Sequence, residues 1–166
     1  LEILNELDDL DAVIVPIGGG GLIAGIAFAI KSLRPNVKVY GVQAAGAPSM
    51  FRSIKDGQIG TLASVSTIAD GIAVKRPGDL TYEIVSKYVD DIATVTEDEI
   101  CAAILKLIEK QKMIAEGAGA VSVAAAMFNK FPIQGKKVVC VISGGNIDVT
   151  SLSRVINRGL MKSGRT

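Results

Sequence analysis

Pro16-Ile17-Gly18-Gly19-Gly20-Gly21-Leu22-Ile23 is the stretch whose reading decides the fold. The apolar run Val13-Ile14-Val15 leads in, and an apolar pattern at helical spacing, Leu22 to Leu33, leads out. Four successive glycines cost backbone entropy on ordering, so they make poor filler between a strand and a helix. They suit a place where backbone amides approach an anion closely. The amides of such a turn and of the helix start point one way, and the helix dipole adds positive potential. The stretch reads as an anion cradle, most naturally for a phosphate; a plain tight turn is the alternative.

Outward from this stretch the pattern is strand, helix, strand. Asp11 to Ile17 predicts a strand, 22–33 a helix ending near Arg34-Pro35, and Val37 to Gln43 a second strand. That order over about 30 residues predicts a right-handed crossover in a parallel sheet. Leu1, Leu4 and Leu7 suggest a helix over 1–9. Further helices are expected over Pro48 to Lys55, Leu80 to Tyr88, Gly119 to Phe128 and Ser151 to Met161, with 57–66 a loop. Thr96 with Glu99 predicts a capping box, opening a helix whose apolar face carries Ile100, Ile104, Leu107 and Ile108. Ile92 to Val95 is a short strand, and Val138 to Ile142 reads as a buried one.

The composition agrees. The 166 residues are 49% hydrophobic but only 4% aromatic, so Ile, Val, Leu and Ala build the core. That suits a sheet covered by helices. The net charge of +1 carries no nucleic-acid or membrane footprint. With no histidine, imidazole bases and the usual zinc sets are excluded within this chain. Cys101 and Cys140 lie in apolar patterns without ligand spacing and read as buried thiols of a reducing, cytoplasmic compartment. The acidic, amphipathic opening LEILNELDDLD reads as a helix interior, so the chain is expected to be a piece of a longer one.

The glycine run is neither a dinucleotide fingerprint nor a Walker loop: its spacing differs, no Gly-Lys-Ser follows, and the second strand ends in Gln43 instead of an acid. Three further stretches carry possible chemistry. Ser143-Gly144-Gly145-Asn146 follows the last strand, where parallel sheets gather ligands; a helix cap with a turn is the alternative. Asp70-Gly71 offers flat backbone, or a turn before a helix. Glu116-Gly117-Ala118-Gly119-Ala120 puts an acid before small residues at a helix start, as ligand room or as a dipole partner. No lysine has an obvious Schiff-base context; Lys75 is the least dismissible.

Together the phrases AVIVPIGGGGLIAGIA, TIADGIAVKRPGDLTYEIV, VTEDEI, EGAGA and VISGGNID resemble the second half of the threonine dehydratase (threonine ammonia-lyase) catalytic region. The resemblance covers essentially the whole chain. It implies a pyridoxal-phosphate enzyme of fold type II: a tryptophan-synthase-beta-like, three-layer α/β/α fold with a mostly parallel sheet, incomplete for want of the N-terminal half. Residues 1–161 are then the major part of the large cofactor-binding domain. Residues 162–166 resemble a linker towards a C-terminal ACT-type regulatory domain. The implied cofactor is pyridoxal 5′-phosphate, bound by Gly18, Gly19, Gly20, Gly21, Leu22, Gly71, Ser143 and Gly144. Ser143 faces the pyridine nitrogen, Gly71 packs beside the ring and Glu116 lies on the substrate side, so Glu116 and Ser143 are the catalytic candidates. The implied reaction eliminates the β-hydroxyl of threonine or serine to give a 2-oxo acid and ammonia, as in isoleucine biosynthesis or threonine catabolism. The Schiff-base lysine belongs to the other half, so the implied partners are that half, an amino-acid substrate and further copies of the whole enzyme. Serine racemase relatives hold a divalent metal with a glutamate, a carbonyl and an aspartate. The matching positions are Gln43, Ala47 and Ser49, so no metal of that type is expected. A serine-preferring dehydratase or racemase, or a non-catalytic phosphate-binding module, remain alternative readings.

Overall fold

Ala12–Pro16, buried at all five positions, is the strand around which the others assemble. In the computed structural model, which describes residues 1–162, 164 and 165, it lies inside a four-stranded sheet. The elements in order are α1 (Glu2–Glu6), β1 (Ala12–Pro16), α2 (Gly21–Leu33), β2 (Lys38–Ala44), α3 (Ser49–Asp56), α4 (Asp79–Tyr88), β3 (Asp91–Val95), α5 (Glu97–Lys106), α6 (Gly117–Met127), β4 (Val138–Cys140) and α7 (Val149–Lys162). A 3₁₀ turn, Asp70–Ile72, precedes α4, and a π turn, Leu107–Gln111, extends α5.

The strand order is β3-β2-β1-β4, all parallel. Side chains alternate between two cores. Val13 and Val15 of β1 pack with Ile23, Ala27 and Ile30 of α2, Met50 of α3 and Val85 of α4. Ala12 and Ile14 face Ile100 and Ile104 of α5, Val121 and Ala124 of α6 and Val155 of α7. Burial on both faces explains why β1 reads as a continuous apolar run. The winding has one cause. Right-handed crossovers from β1 to β2 and on to β3 keep α2, α3 and α4 on one face. The chain then reverses and passes to the far side of β1, so α5 and α6 cover the other face. The reversal opens a crevice beyond the carboxyl ends of β1 and β4, where open α/β sheets bind ligands.

The three-layer, mostly parallel fold matches the expectation, and so does the capping box. Thr96 Oγ1 accepts from the Glu99 amide at 3.3 Å, and the Glu99 carboxylate accepts from the Thr96 amide at 2.8 Å. Three elements depart from the sequence reading. The first helix shortens to Glu2–Glu6, because Arg34 reaches across to the Leu4 and Leu7 carbonyls and closes it early. Pro48 caps α3 from outside instead of opening its first turn. The expected buried strand 138–142 is only half-buried and pairs over Val138–Cys140, because β4 is an edge of the sheet. The expected linker 162–166 begins within α7: Lys162 is its last residue, Arg165 pairs with Glu109, and Ser163 and Thr166 lie outside the described residues.

Asp90 ties three elements at the amino end of the sheet. Its carboxylate takes Lys31 Nζ from α2 at 2.6 Å, Lys38 Nζ from β2 at 2.9 Å and the Val39 amide at 2.8 Å. Burial alone would raise this carboxyl, but hydrogen bonds from Lys31, the Val39 amide and Lys38 outweigh it and hold it below its ordinary 3.8. A lowered folded pKa stabilises the fold above the unfolded value, and that stability is lost as pH falls through the folded value. Asp90→Asn in the full-length protein is therefore expected to cost about 0.5–1 kcal/mol near neutral pH, the pairs being partly solvated. The difference from wild type starts to shrink as pH falls towards 3.8 and vanishes only below the lowered folded value, read from urea unfolding at stepped pH.

Candidate functional site

The crevice is built by three loops that leave the carboxyl side of the sheet or the helices over it. Its floor is the glycine stretch after β1. The Ile17 amide bonds the Val42 carbonyl at 2.8 Å, so the chain leaves the sheet only after Ile17. Buried Gln43 fixes the exit: its Nε2 donates to the Ile17 carbonyl at 3.2 Å and its Oε1 accepts from the Phe51 amide at 2.8 Å. Gln43 thus serves the scaffold, and the Ala47 amide is likewise taken by the Ala44 carbonyl at 2.9 Å. Ser49 Oγ is buried without a hydrogen-bond partner, and no cluster of acidic or cysteine side chains able to hold a metal occurs among the described residues.

Gly20 is the N-cap of α2 with φ +99°, a conformation that favours glycine. A Cβ there would also stand 2.7 Å from Met50 Cε and 2.9 Å from Thr81 Oγ1. A Cβ on Gly18 would press on Ile72 Cα at 3.2 Å. Gly19 and Gly21 differ: beyond the adjacent residues and the helix's own backbone, nothing lies within 4 Å of a Cβ on either. Neither needs to be glycine for any neighbour within the chain. The Gly21, Leu22 and Ile23 amides, at the first turn of α2, have no partner within the helix, and the positive end of its dipole adds to them.

One wall is the 3₁₀ turn. Glu97, at the start of α5, accepts from Thr67 Oγ1 at 2.6 Å and from the Ile68 amide at 2.8 Å, which pins the chain entering the turn. Asp70 is exposed and accepts from the Gly71 amide at 2.9 Å. Gly71 sits against α6, where a Cβ would lie 3.1 Å from Ala118 Cβ and 3.7 Å from Glu116 Oε1. The other wall is the loop after β4. The Glu116 amide bonds the Gly144 carbonyl at 3.2 Å, and a Cβ on Gly144 would overlap the Glu116 carboxylate. Glu116 is the N-cap of α6, yet its side chain makes no cap bond. It lies between Gly71 and Gly144, at the positive end of the α6 dipole, so its place suits both readings of the sequence. Ser143 is not a helix cap: α7 starts at Val149, and Asp148 accepts the Ser151 amide at 2.9 Å.

Gly18, Gly19, Gly20, Gly21, Leu22, Gly71, Glu116 and Ser143 thus line one cavity of about 280 Å³, with Gly144 packed behind Glu116. Pro16, Ile72 and Ala118 complete the lining; all three fall within the stretches singled out above, but carry no chemistry of their own to mark them individually. No lysine lines it. Lys31 and Lys38 are on Asp90, Lys137 pairs with Asp9, and Lys75 is exposed. Both thiols are pushed up to about 11 by burial, which makes them unreactive.

Residues 1–144 match the family model described as pyridoxal-phosphate dependent enzyme. The L-threonine ammonia-lyase of Thermotoga maritima is 57% identical over 165 residues, which are 99% of this chain and 41% of that protein. The catabolic L-threonine dehydratase of Escherichia coli is 52% identical over 157 residues, 93% of this chain and 48% of its own length. Among solved structures, the processed form of threonine deaminase isoform 2 from Solanum lycopersicum superposes with a TM-score of 0.89 at 38% identity, covering 95% of this chain and 46% of that one. Maize serine racemase superposes with a TM-score of 0.85 at 34% identity, covering 95% and 51%. The chain spans a little under half the length of the curated relatives it matches.

The contrast among the glycines predicts two different defects. Gly20→Ala is expected to destabilise the protein by roughly 2–4 kcal/mol, combining a disfavoured φ with overpacking. Gly19→Ala and Gly21→Ala are expected to stay within about 0.5 kcal/mol of wild type, as open positions do, while losing affinity for a phosphate-bearing ligand. Thermal unfolding with and without pyridoxal phosphate separates the two.

Proposed function

The chain belongs to the pyridoxal-phosphate-dependent enzyme family, and we propose that it is the half of a threonine dehydratase that grips the cofactor phosphate. The observation carrying this reading is the cavity itself. Its floor includes two glycines, Gly19 and Gly21, that no neighbouring segment requires to be glycine, facing a wall with one carboxylate and one hydroxyl. That donor set fits the cofactor: a phosphate needs amides and room, and a flat ring needs a wall without side chains.

The roles divide by atom type. The Gly18–Gly21 turn and the Leu22 amide bind the phosphate. Gly71 leaves the ring a flat neighbour. Ser143 offers its hydroxyl to the ring nitrogen; being neutral, it does not force that nitrogen to stay protonated as a carboxylate would. Glu116 stands on the substrate side with a carboxylate unused by the fold, able to take or return a proton. When bound, the cofactor supplies the electron sink that lets an amino acid lose its α-proton. With Ser143 as ring partner that sink is tempered, which favours elimination of a β-hydroxyl, and the products are a 2-oxo acid and ammonia.

The two sheet edges support the view that this is half of a site. β3 guards its edge with exposed Asp91 and with Thr94, as isolated edges are guarded. β4 carries only Val138, Val139 and Cys140 and continues into Val141-Ile142. The Lys137 carbonyl and Val141 amide bond β1, so alternate residues Val138 and Cys140 aim their backbone groups outward. An unguarded apolar edge of this kind calls for a further strand, which the rest of the full-length protein supplies. That portion also brings the lysine this cavity lacks. The whole enzyme works as a homo-oligomer on small amino acids in the cytoplasm, and this half is inactive without the other.

The test is reconstitution. Mixed with the remainder of its protein and pyridoxal phosphate, the chain is expected to release ammonia from L-threonine faster than from L-serine, and none when alone. Absence of ammonia from both substrates overturns the enzyme reading, and ammonia from serine alone overturns the threonine assignment. Glu116→Gln and Ser143→Ala in the full-length protein are each expected to lower kcat at least about 100-fold while the phosphate stays bound.

A further inference from the structure

The Gly19–Gly20 peptide is a part of the cradle whose direction the glycines themselves leave open. A peptide plane between two glycines can rotate as a unit at little cost, since neither residue has a Cβ to resist. One orientation turns the Gly20 N–H towards a bound anion. The other turns the Gly19 carbonyl oxygen there and repels it. In a planar trans peptide these two groups point in opposite directions, so whatever holds the oxygen also sets the amide.

The oxygen is held from α4. Thr81 Oγ1 donates to the Gly19 carbonyl at 2.5 Å across 62 residues of sequence, and the Gly78 amide donates to the same oxygen at 3.2 Å. Neither Thr81 nor Gly78 lines the cavity. Thr81 Oγ1 also reaches the Gly78 carbonyl at 3.0 Å, an ordinary contact within a helix's first turn. A hydroxyl has one proton, and the shorter contact is the distant one. The Thr81 side chain also abuts Gly20, so it fixes the turn from two directions.

We propose that Thr81 is a positioning residue of the phosphate cradle: its hydroxyl locks the Gly19–Gly20 peptide with the carbonyl on α4 and the Gly20 amide facing the phosphate. This rests on the cofactor reading above. It extends that reading to a residue that never touches the cofactor.

The test uses full-length protein stripped of cofactor and titrated separately with pyridoxal phosphate and with pyridoxal, which lacks the phosphate. Thr81→Val, similar in shape but without the donor, is expected to weaken pyridoxal phosphate binding roughly 5- to 10-fold, the worth of one hydrogen bond, and to leave pyridoxal affinity unchanged. Thr81→Ser is expected to return the first affinity to within about twofold of wild type. The ³¹P resonance of the bound cofactor should move in Thr81→Val and return in Thr81→Ser. Equal weakening of both ligands, or no weakening of either, overturns the role of Thr81 while the cofactor reading stands. Failure of the wild-type protein to prefer pyridoxal phosphate over pyridoxal overturns the cofactor reading and this proposal with it. Should Thr81→Val fail to fold, Thr81→Ala carries the same comparison.

Discussion

A loop that binds an anion through its backbone must meet two opposed demands. Its carbonyls need partners in the protein, or they turn inward and repel the ligand. Its amides must stay unpartnered, or nothing is left to bind. The glycine stretch suits both demands, since three of its carbonyls are taken elsewhere: Ile17 by Gln43, Gly19 by Thr81 and Gly78, and Gly20 by Ala24 of α2. The rest of the crevice depends on this arrangement. The 3₁₀ turn leans on Gly18, and Gly71 and Glu116 then meet across the floor it defines.

The sheet order explains why the chemistry gathers here. Reversal of winding between β3 and β4 puts the loops after β1 and β4 side by side, with a helix start beneath one and Glu116 against the other. Gly144 and Gly119 let the β4 loop and α6 pack backbone against backbone, since a Cβ on either would overlap the opposite segment. The cavity is therefore closely packed where the β4 loop meets Glu116. It has a donor set without a lysine, and it sits near a sheet edge that is apolar and unguarded.

Much of this was legible in order along the chain. The glycine run stood out in the sequence through its entropic cost, and the fold puts it on the floor of the crevice. The capping box at Thr96 and Glu99 and the second strand were equally readable, since both depend on residues within one turn or strand. β4 misled because five apolar residues read alike at the centre of a sheet and at an edge built to be covered. Thr81 and Gln43 were opaque for a different reason. Each acts on a residue far away in sequence, and a threonine in a helix's first turn or a glutamine ending a strand carries no local mark of its partner.

The sequence by itself determined most of the elements, the parallel sheet and the candidate set from Gly18 to Ser143, since propensity, spacing and backbone chemistry are local properties. Only the tertiary structure decided which candidates share one cavity, that Glu116 is spent on neither a cap nor an ion pair, that no lysine reaches the site and which way the Gly19 carbonyl turns. Those outcomes depend on contacts between residues dozens of positions apart, and packing brings such residues together without leaving a local trace in the chain.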